Sequence, residues 1–151
     1  MSIPGAIIAG LVATLILYVL TRLTTMNRMG MERYLSTMFF ARANATLGFT
    51  LLFVAGGIFG LIYAYLWSMG IGWPDYLYGL INGVVQWLAV GLAIGLLPLV
   101  HRGIRSGDVP PPGFYMTNLL GKWAFLAGLV NHAIFGLAIA FVYQFFRGRY
   151  G

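Results

Sequence analysis

Four apolar stretches, at roughly 3–22, 46–67, 77–99 and 122–146, constrain the fold of this chain more than any other feature. A helix needs about 20 such residues to cross the ~30 Å hydrocarbon core of a bilayer. Inside that core every peptide group must find its partner within the protein, so runs of this length are read as helices. Composition allows no easy alternative. Of the 151 residues, 60% are hydrophobic and 8% charged, whereas a soluble domain carries about 25% charged residues. The expected fold is all-α: one four-helix transmembrane domain over residues 1–151, with no separate domain outside the membrane. There is no cysteine, which removes disulfides and thiolate ligands from consideration. The N-terminal run lacks a basic leader segment and a small-residue cleavage site, so it reads as a span rather than a signal peptide.

The charges are distributed unevenly between the connecting segments. Arg22, Arg28, Arg33 and Arg42 follow the first span, and Arg102, Arg105 and Lys122 follow the third; the second connection has only Asp75. Basic loops stay cytoplasmic, which predicts both termini on the non-cytoplasmic side. Arg147 and Arg149 depart from that rule. The net charge of +6 then belongs to topology and to contact with anionic membrane lipids rather than to nucleic acid. Tyr65, Trp67, Trp73, Tyr76 and Tyr78 mark one membrane interface, and Tyr115 and Trp123 the other. SMGIGWPD (68–75) reads as a tight turn, and DVPPPGF (108–114) as a stiff extended connector.

Within the first connection, Met31, Tyr34, Leu35, Met38 and Phe39 recur at helical spacing. Glu32, Arg33 and Ser36 fall on other faces, which predicts an amphipathic helix over about 31–42. Such a helix lies flat at the membrane surface or docks into a partner's groove.

The spans repeat. Ile58-Phe59-Gly60-Leu61 recurs as Ile134-Phe135-Gly136-Leu137, 76 positions later. IAGLVATL from Ile8 resembles INGVVQWL from Ile81, 73 positions later. Two parallel-repeat hairpins are the expected arrangement. Gly56/Gly60, Gly79/Gly83 and Gly91/Gly95 are spaced by four, as Gly128 and Gly136 are from His132. Small residues at this spacing let helix backbones approach closely. Four such faces exceed what a lone bundle needs, which favours other integral membrane subunits as partners.

Polar residues inside the spans are few. His132 lies about 15 Å from the inner end of its span and Gln86 about 13 Å from the outer end of its own, at ~1.5 Å per residue. Both fall near the midplane with Asn131 and Thr14, predicting a buried polar layer of these four. Intramembrane polar groups face the bundle and find partners. A neutral, hydrogen-bonded His132 is the plain reading. The alternatives are an axial ligand to haem iron or chlorophyll magnesium, and proton handling. A second histidine, His101, sits some 15 Å away in depth, beside Arg102, and marks the membrane interface.

The spans contain no carboxylate, and no nucleophile–base pair or phosphate loop is evident, so no enzyme, metal site or required cofactor is expected. The function class is a non-catalytic accessory or scaffold subunit of a larger membrane complex, energy-transducing complexes included, with bound lipid as a companion. A small oligomeric transporter or channel is the alternative.

The order GAIIAGLVATL, GGIFGLIYA, LYGLINGVVQWL with Pro98, and NHAIFGLAIAFVY resembles a family of small, uncharacterised bacterial four-helix membrane proteins with glycine-rich hairpins. The resemblance implies the fold and a histidine opening a glycine-rich span. The family pattern also carries a histidine in the second span, where this chain has Phe53, Val54 and Gly56.

Overall fold

Local chemistry sets where each span begins and ends. A computed structural model describes residues 1–23, 30–39 and 43–150, with 148–150 in backbone only. Arg28, Arg42, the Arg149 side chain and the expected end of the amphipathic helix at 40–42 lie outside the described residues. The described chain is all-helical: α1 (Ile3–Leu23), α2 (Met31–Phe39), α3 (Ala45–Ser68), α4 (Tyr76–Gly95), the single turns α5 (Leu97–Val100), α6 (Arg102–Arg105) and α7 (Thr117–Leu120), and α8 (Ala124–Tyr150). Helices α1, α3, α4 and α8 are each long and apolar enough to cross a membrane.

Side-chain caps start three of the four long helices, Ser2 accepting from the Gly5 amide at the head of α1. Asn44 accepts from the Leu47 amide at 3.0 Å and Asp75 from the Tyr78 amide at 2.9 Å, each satisfying an amide that the first helical turn leaves open. The third span stops at Gly95, four residues short of the expected 99. Pro98 has no N–H to offer the Ile94 carbonyl, so the chain breaks at Leu96 and resumes as α5. The fourth starts at Ala124 because Gly121, at φ +76°, turns the chain immediately before it. The proline connector is not simply extended. After Gly113 (φ +73°), Tyr115 and Met116 hold left-handed conformations at φ 51° and 62°, an uncommon state for bulky residues.

Helix α1 lies between α3 and α8, and α4 packs on α8, while the sequence neighbours α3 and α4 barely touch. Two seams are backbone-close. A Cβ on Gly60 would lie 2.1 Å from the Ala6 carbonyl oxygen, and one on Gly10 2.1 Å from that of Gly56. Between α4 and α8, a Cβ on Gly136 would lie 2.0 Å from the Gly79 oxygen, and one on Gly83 2.2 Å from that of His132. At such distances only glycine fits, and dispersion across the seam holds the helices together.

The other expected glycine contacts are of a different kind. Gly91 and Gly95 accommodate the rings of Tyr115 and Phe114, and Gly128 accommodates the indole of Trp87. All eight glycines are therefore occupied inside the chain, which removes the surplus packing surface that favoured a partner. Aromatic rings folding back from the 114–116 turn are the physical reason, and spacing alone does not reveal them.

Helix α2 turns its apolar face to its own chain. It is wedged between α3 and α6. Ser36, on its expected polar side, and Thr37 are buried against that packing, whereas Phe39 is 64% exposed. The Tyr34 carbonyl is bonded to His101 Nε2 at 2.9 Å, Arg33 donates to the Asp108 carbonyl at 2.8 Å, and Tyr34 Oη donates to the Pro110 carbonyl. Burial raises the Tyr34 phenol above its ordinary pKa, and the Arg33 charge partly opposes this.

Candidate functional site

Three of the four expected midplane polar residues, His132, Thr14 and Gln86, bond to separate partners rather than to one another. His132 Nδ1 is bonded to the Gly128 carbonyl one turn back at 2.9 Å, and its ring lies 4.8 Å from that of Trp87. Thr14 donates to the Gly10 carbonyl at 2.8 Å, beside Gly56 on the α1–α3 seam. Gln86 accepts from Tyr63 Oη at 2.6 Å. The expected Gln86–His132 bond is not made among the described residues. Carbonyls of the preceding turn satisfy short polar side chains within their own helix, and Gln86 faces α3. Asn131 is half-buried beside His132.

Tyr63–Gln86 is instead the clasp of a different feature. The 69–75 turn joins α3 and α4 through the chain, and elsewhere the two helices barely touch. The space between them is a cleft of about 260 Å³. Leu52 and Ala55 of α3 form one wall, and Val90, Ala93 and Ile94 of α4 the other. Met31, Tyr34, Leu35 and Met38 of α2 close one end, with Pro112, Met116 and Leu119. The apolar face read from the α2 sequence therefore does line a hydrophobic surface, but one belonging to its own chain.

His101 is part of this end wall and is fully buried within the protein. Its Nδ1 accepts from the Ile104 amide at 3.2 Å, which leaves Nε2 as the donor to the Tyr34 carbonyl. The imidazole thereby ties α6 to α2 and shapes the cleft. The wall side chains are overwhelmingly hydrocarbon, and the polar atoms near them are engaged elsewhere. What the cleft can do chemically is hold an apolar body away from competing contacts.

Sequence reasoning missed Tyr63, although a tyrosine in mid-span opposite a glutamine was a signal that could have found it. It also missed Ala55 and Ala93, whose small side chains leave the space open. Among the described residues no group of three or more metal-ligating side chains comes together. No family model, curated protein or solved structure matches the chain, so the reading rests on this geometry.

Proposed function

We propose that the protein is a multi-pass membrane protein with both termini on the non-cytoplasmic side, serving as a non-catalytic accessory subunit of a larger membrane assembly. In this reading an acyl chain of a membrane lipid lies in the α3–α4 cleft, and other subunits meet the protein along the same side. The observation that supports the lipid part of this reading is the cleft, and the accessory role rests on the absence of a reactive constellation among the described residues. The cleft opens between two helices long and apolar enough to cross a membrane, its walls are apolar, and its volume is about 260 Å³. One turn of a helix, about 10 Å across and 5.4 Å long, fills roughly 400 Å³. Pockets for drug-sized ligands measure about 300–1,000 Å³. A single slender hydrocarbon chain is the body that suits this space.

The two hairpins, in the same reading, are copies of one unit. The supporting contacts are those of the seams: Gly60 against Ala6 corresponds to Gly136 against Gly79, and Gly10 against Gly56 to Gly83 against His132, at the offsets found in the sequence. His132 thus stands where the first hairpin has Gly56.

The test is purification in mild detergent followed by mass spectrometry of bound lipid and of co-purifying proteins. Stoichiometric lipid that is lost in Ala55→Trp, with the protein still monodisperse, supports the cleft. Companion membrane proteins support the accessory role. A lipid-free, companion-free wild type refutes both.

One observation favours a second reading of His132. Its Nδ1 is held by a backbone carbonyl, the arrangement that orients a metal-ligating imidazole, and Nε2 has no hydrogen bond among the described residues. A visible absorbance band lost in His132→Ala would establish haem or chlorophyll ligation; a colourless preparation would end it.

A further inference from the structure

At the end of the bundle opposite α2, a second cavity of about 470 Å³ is built from different chemistry. Its wall includes Ser2, Trp67, Ser68, Pro74, Tyr143 and Arg147. The polar atoms divide into engaged and unengaged groups. The Pro74 carbonyl accepts from Gln144 Nε2 at 2.8 Å, which latches the α3–α4 turn to α8. Ser68 Oγ donates to the Tyr65 carbonyl at 2.7 Å, and Ser2 Oγ accepts from the Gly5 amide at 3.2 Å. Tyr143 Oη accepts from the Ser2 amide at 3.1 Å, so its own hydrogen is left to donate.

Three donors remain. The Tyr143 hydroxyl has no acceptor among the described residues. The Trp67 indole N–H is buried with no partner, in a side chain only 7% exposed. The Arg147 guanidinium has no carboxylate partner among the described residues. No acid lines the cavity, and the nearest in sequence, Asp75, caps α4. The first turn of α1 adds the partial positive charge of a helix N-terminus. A buried donor without an acceptor is costly; Trp67 Nε1 is one such atom in this wall, and together with the exposed Arg147 and the Tyr143 hydroxyl it lines a cavity that no acid lines, a setting that favours an anion. Guanidinium, hydroxyl and indole donors are the groups that hold phosphate oxygens.

We infer that this cavity binds a phosphate group through Arg147, Tyr143 and Trp67. The inference also accounts for Arg147, a cation on the side of the bundle where the distribution of basic residues does not place one. Topology does not need it there; an anion site does. It stands independently of the α3–α4 cleft, which lies toward the other end of the molecule.

The phosphate could belong to a lipid headgroup or be free in solution, and two measurements separate these sources. The full chain is reconstituted into nanodiscs of phosphatidylcholine with and without phosphatidylglycerol, and the lipid retained on release is counted by native mass spectrometry. In parallel, the detergent-solubilised chain is titrated with inorganic phosphate at constant ionic strength while thermal stability is followed. Arg147→Gln should weaken the responding arm about ten-fold or more, the size of one lost charge-assisted hydrogen bond. Arg105→Gln, at the opposite end, should leave it unchanged. Trp67→Phe should weaken it less, as one neutral donor is removed. Retention of either phospholipid that depends on Arg147 identifies a phospholipid site. A response to inorganic phosphate alone identifies a site for a soluble phosphate. No response in either arm, or equal responses in wild type and Arg147→Gln, overturns the inference.

Discussion

Replacing Gly136 by alanine places a methyl group 2.0 Å from the Gly79 carbonyl oxygen and 2.9 Å from the Gly83 amide nitrogen. Ordinary contact begins at about 3.4 Å, so α4 and α8 would have to part by about 1.4 Å at this crossing. Both obstacles are backbone, and neither can rotate away. Overpacking of this kind costs about 1–3 kcal/mol, offset by the ~0.8–1 kcal/mol that alanine gains over glycine in a helix. Gly57 provides the control. It is also buried within a long helix, but a methyl there would meet only Ile7 Cγ2, at 3.8 Å. Gly57→Ala should therefore keep the propensity gain with no clash.

The same chemical change thus carries opposite signs at the two positions, a separation of about 2 kcal/mol from the figures above. At ~2–4 °C per kcal/mol for a chain of this size, the midpoints should differ by about 4–8 °C. Thermal unfolding in detergent, read by circular dichroism or by loss of the monodisperse chromatographic peak, measures this directly. Gly60→Ala, whose methyl would sit 2.1 Å from the Ala6 oxygen, should behave like Gly136→Ala. If Gly136→Ala proves as stable as Gly57→Ala, the seams are not backbone-close and the packing argument fails.

Tyr63→Phe removes the only described partner of Gln86 Oε1. It should cost about 0.6–1.7 kcal/mol, the range of interhelical hydrogen bonds in membranes, and Gln86→Leu in the same background should restore most of it. An unchanged midpoint in Tyr63→Phe would show that the clasp contributes nothing. For Tyr34 the raised pKa means that folded and unfolded chains are both neutral below the ordinary value near 10. Above it the unfolded chain ionises first, so stability is lost as pH rises through the folded value. Stability in detergent followed from neutral pH to about pH 11 should decline more shallowly in Tyr34→Phe; identical slopes would mean that this phenol carries no linkage.

The parts of this fold legible in the sequence are those set by local rules. The limits of α1 and α3 and the start of α4 follow from apolar length, and the glycine seams from spacing of four. What stayed hidden depends on how each helix is rotated about its own axis. His132, Thr14 and Gln86 lie at similar depths, but depth does not determine azimuth. His132 faces Trp87 and its own preceding turn, while Gln86 faces Tyr63. Gly91 and Gly95 look like a helix-packing pair, yet they serve the rings of Tyr115 and Phe114. Those rings arrive through left-handed backbone at Tyr115 and Met116, which propensity would not assign to such residues. The α2 face was correctly read as apolar, but its counterpart came from distant segments, Ile94 and Pro112 among them.

The remaining question is why α1 and α8 close against each other while α3 and α4 do not. Under the proposed correspondence of the hairpins, Ala9 and Ala13 of α1 answer to Asn82 and Gln86 of α4, and Ile139 of α8 answers to Tyr63 of α3. Ala9, Ala13 and Ile139 are fully buried in one cluster, where methyl side chains let the helices close. On the other flank two amides and a phenol occupy the equivalent places. They keep the helices apart, joined by the single Tyr63–Gln86 bond, with Asn82 Nδ2 buried and unpartnered. The cleft is then a consequence of three side chains, and Asn82→Ala, Gln86→Ala and Tyr63→Ile together should close it. Because the chain has no cysteine, an Ala55→Cys, Ile94→Cys pair across the cleft reports closure without background. A disulfide needs Cβ atoms about 3.5–4.5 Å apart, so oxidation should yield little cross-link with the three native side chains in place and substantially more in the triple variant. Equal yields in the two backgrounds would mean that the helices are held apart by something else, with α2 wedged beneath them the next element to test.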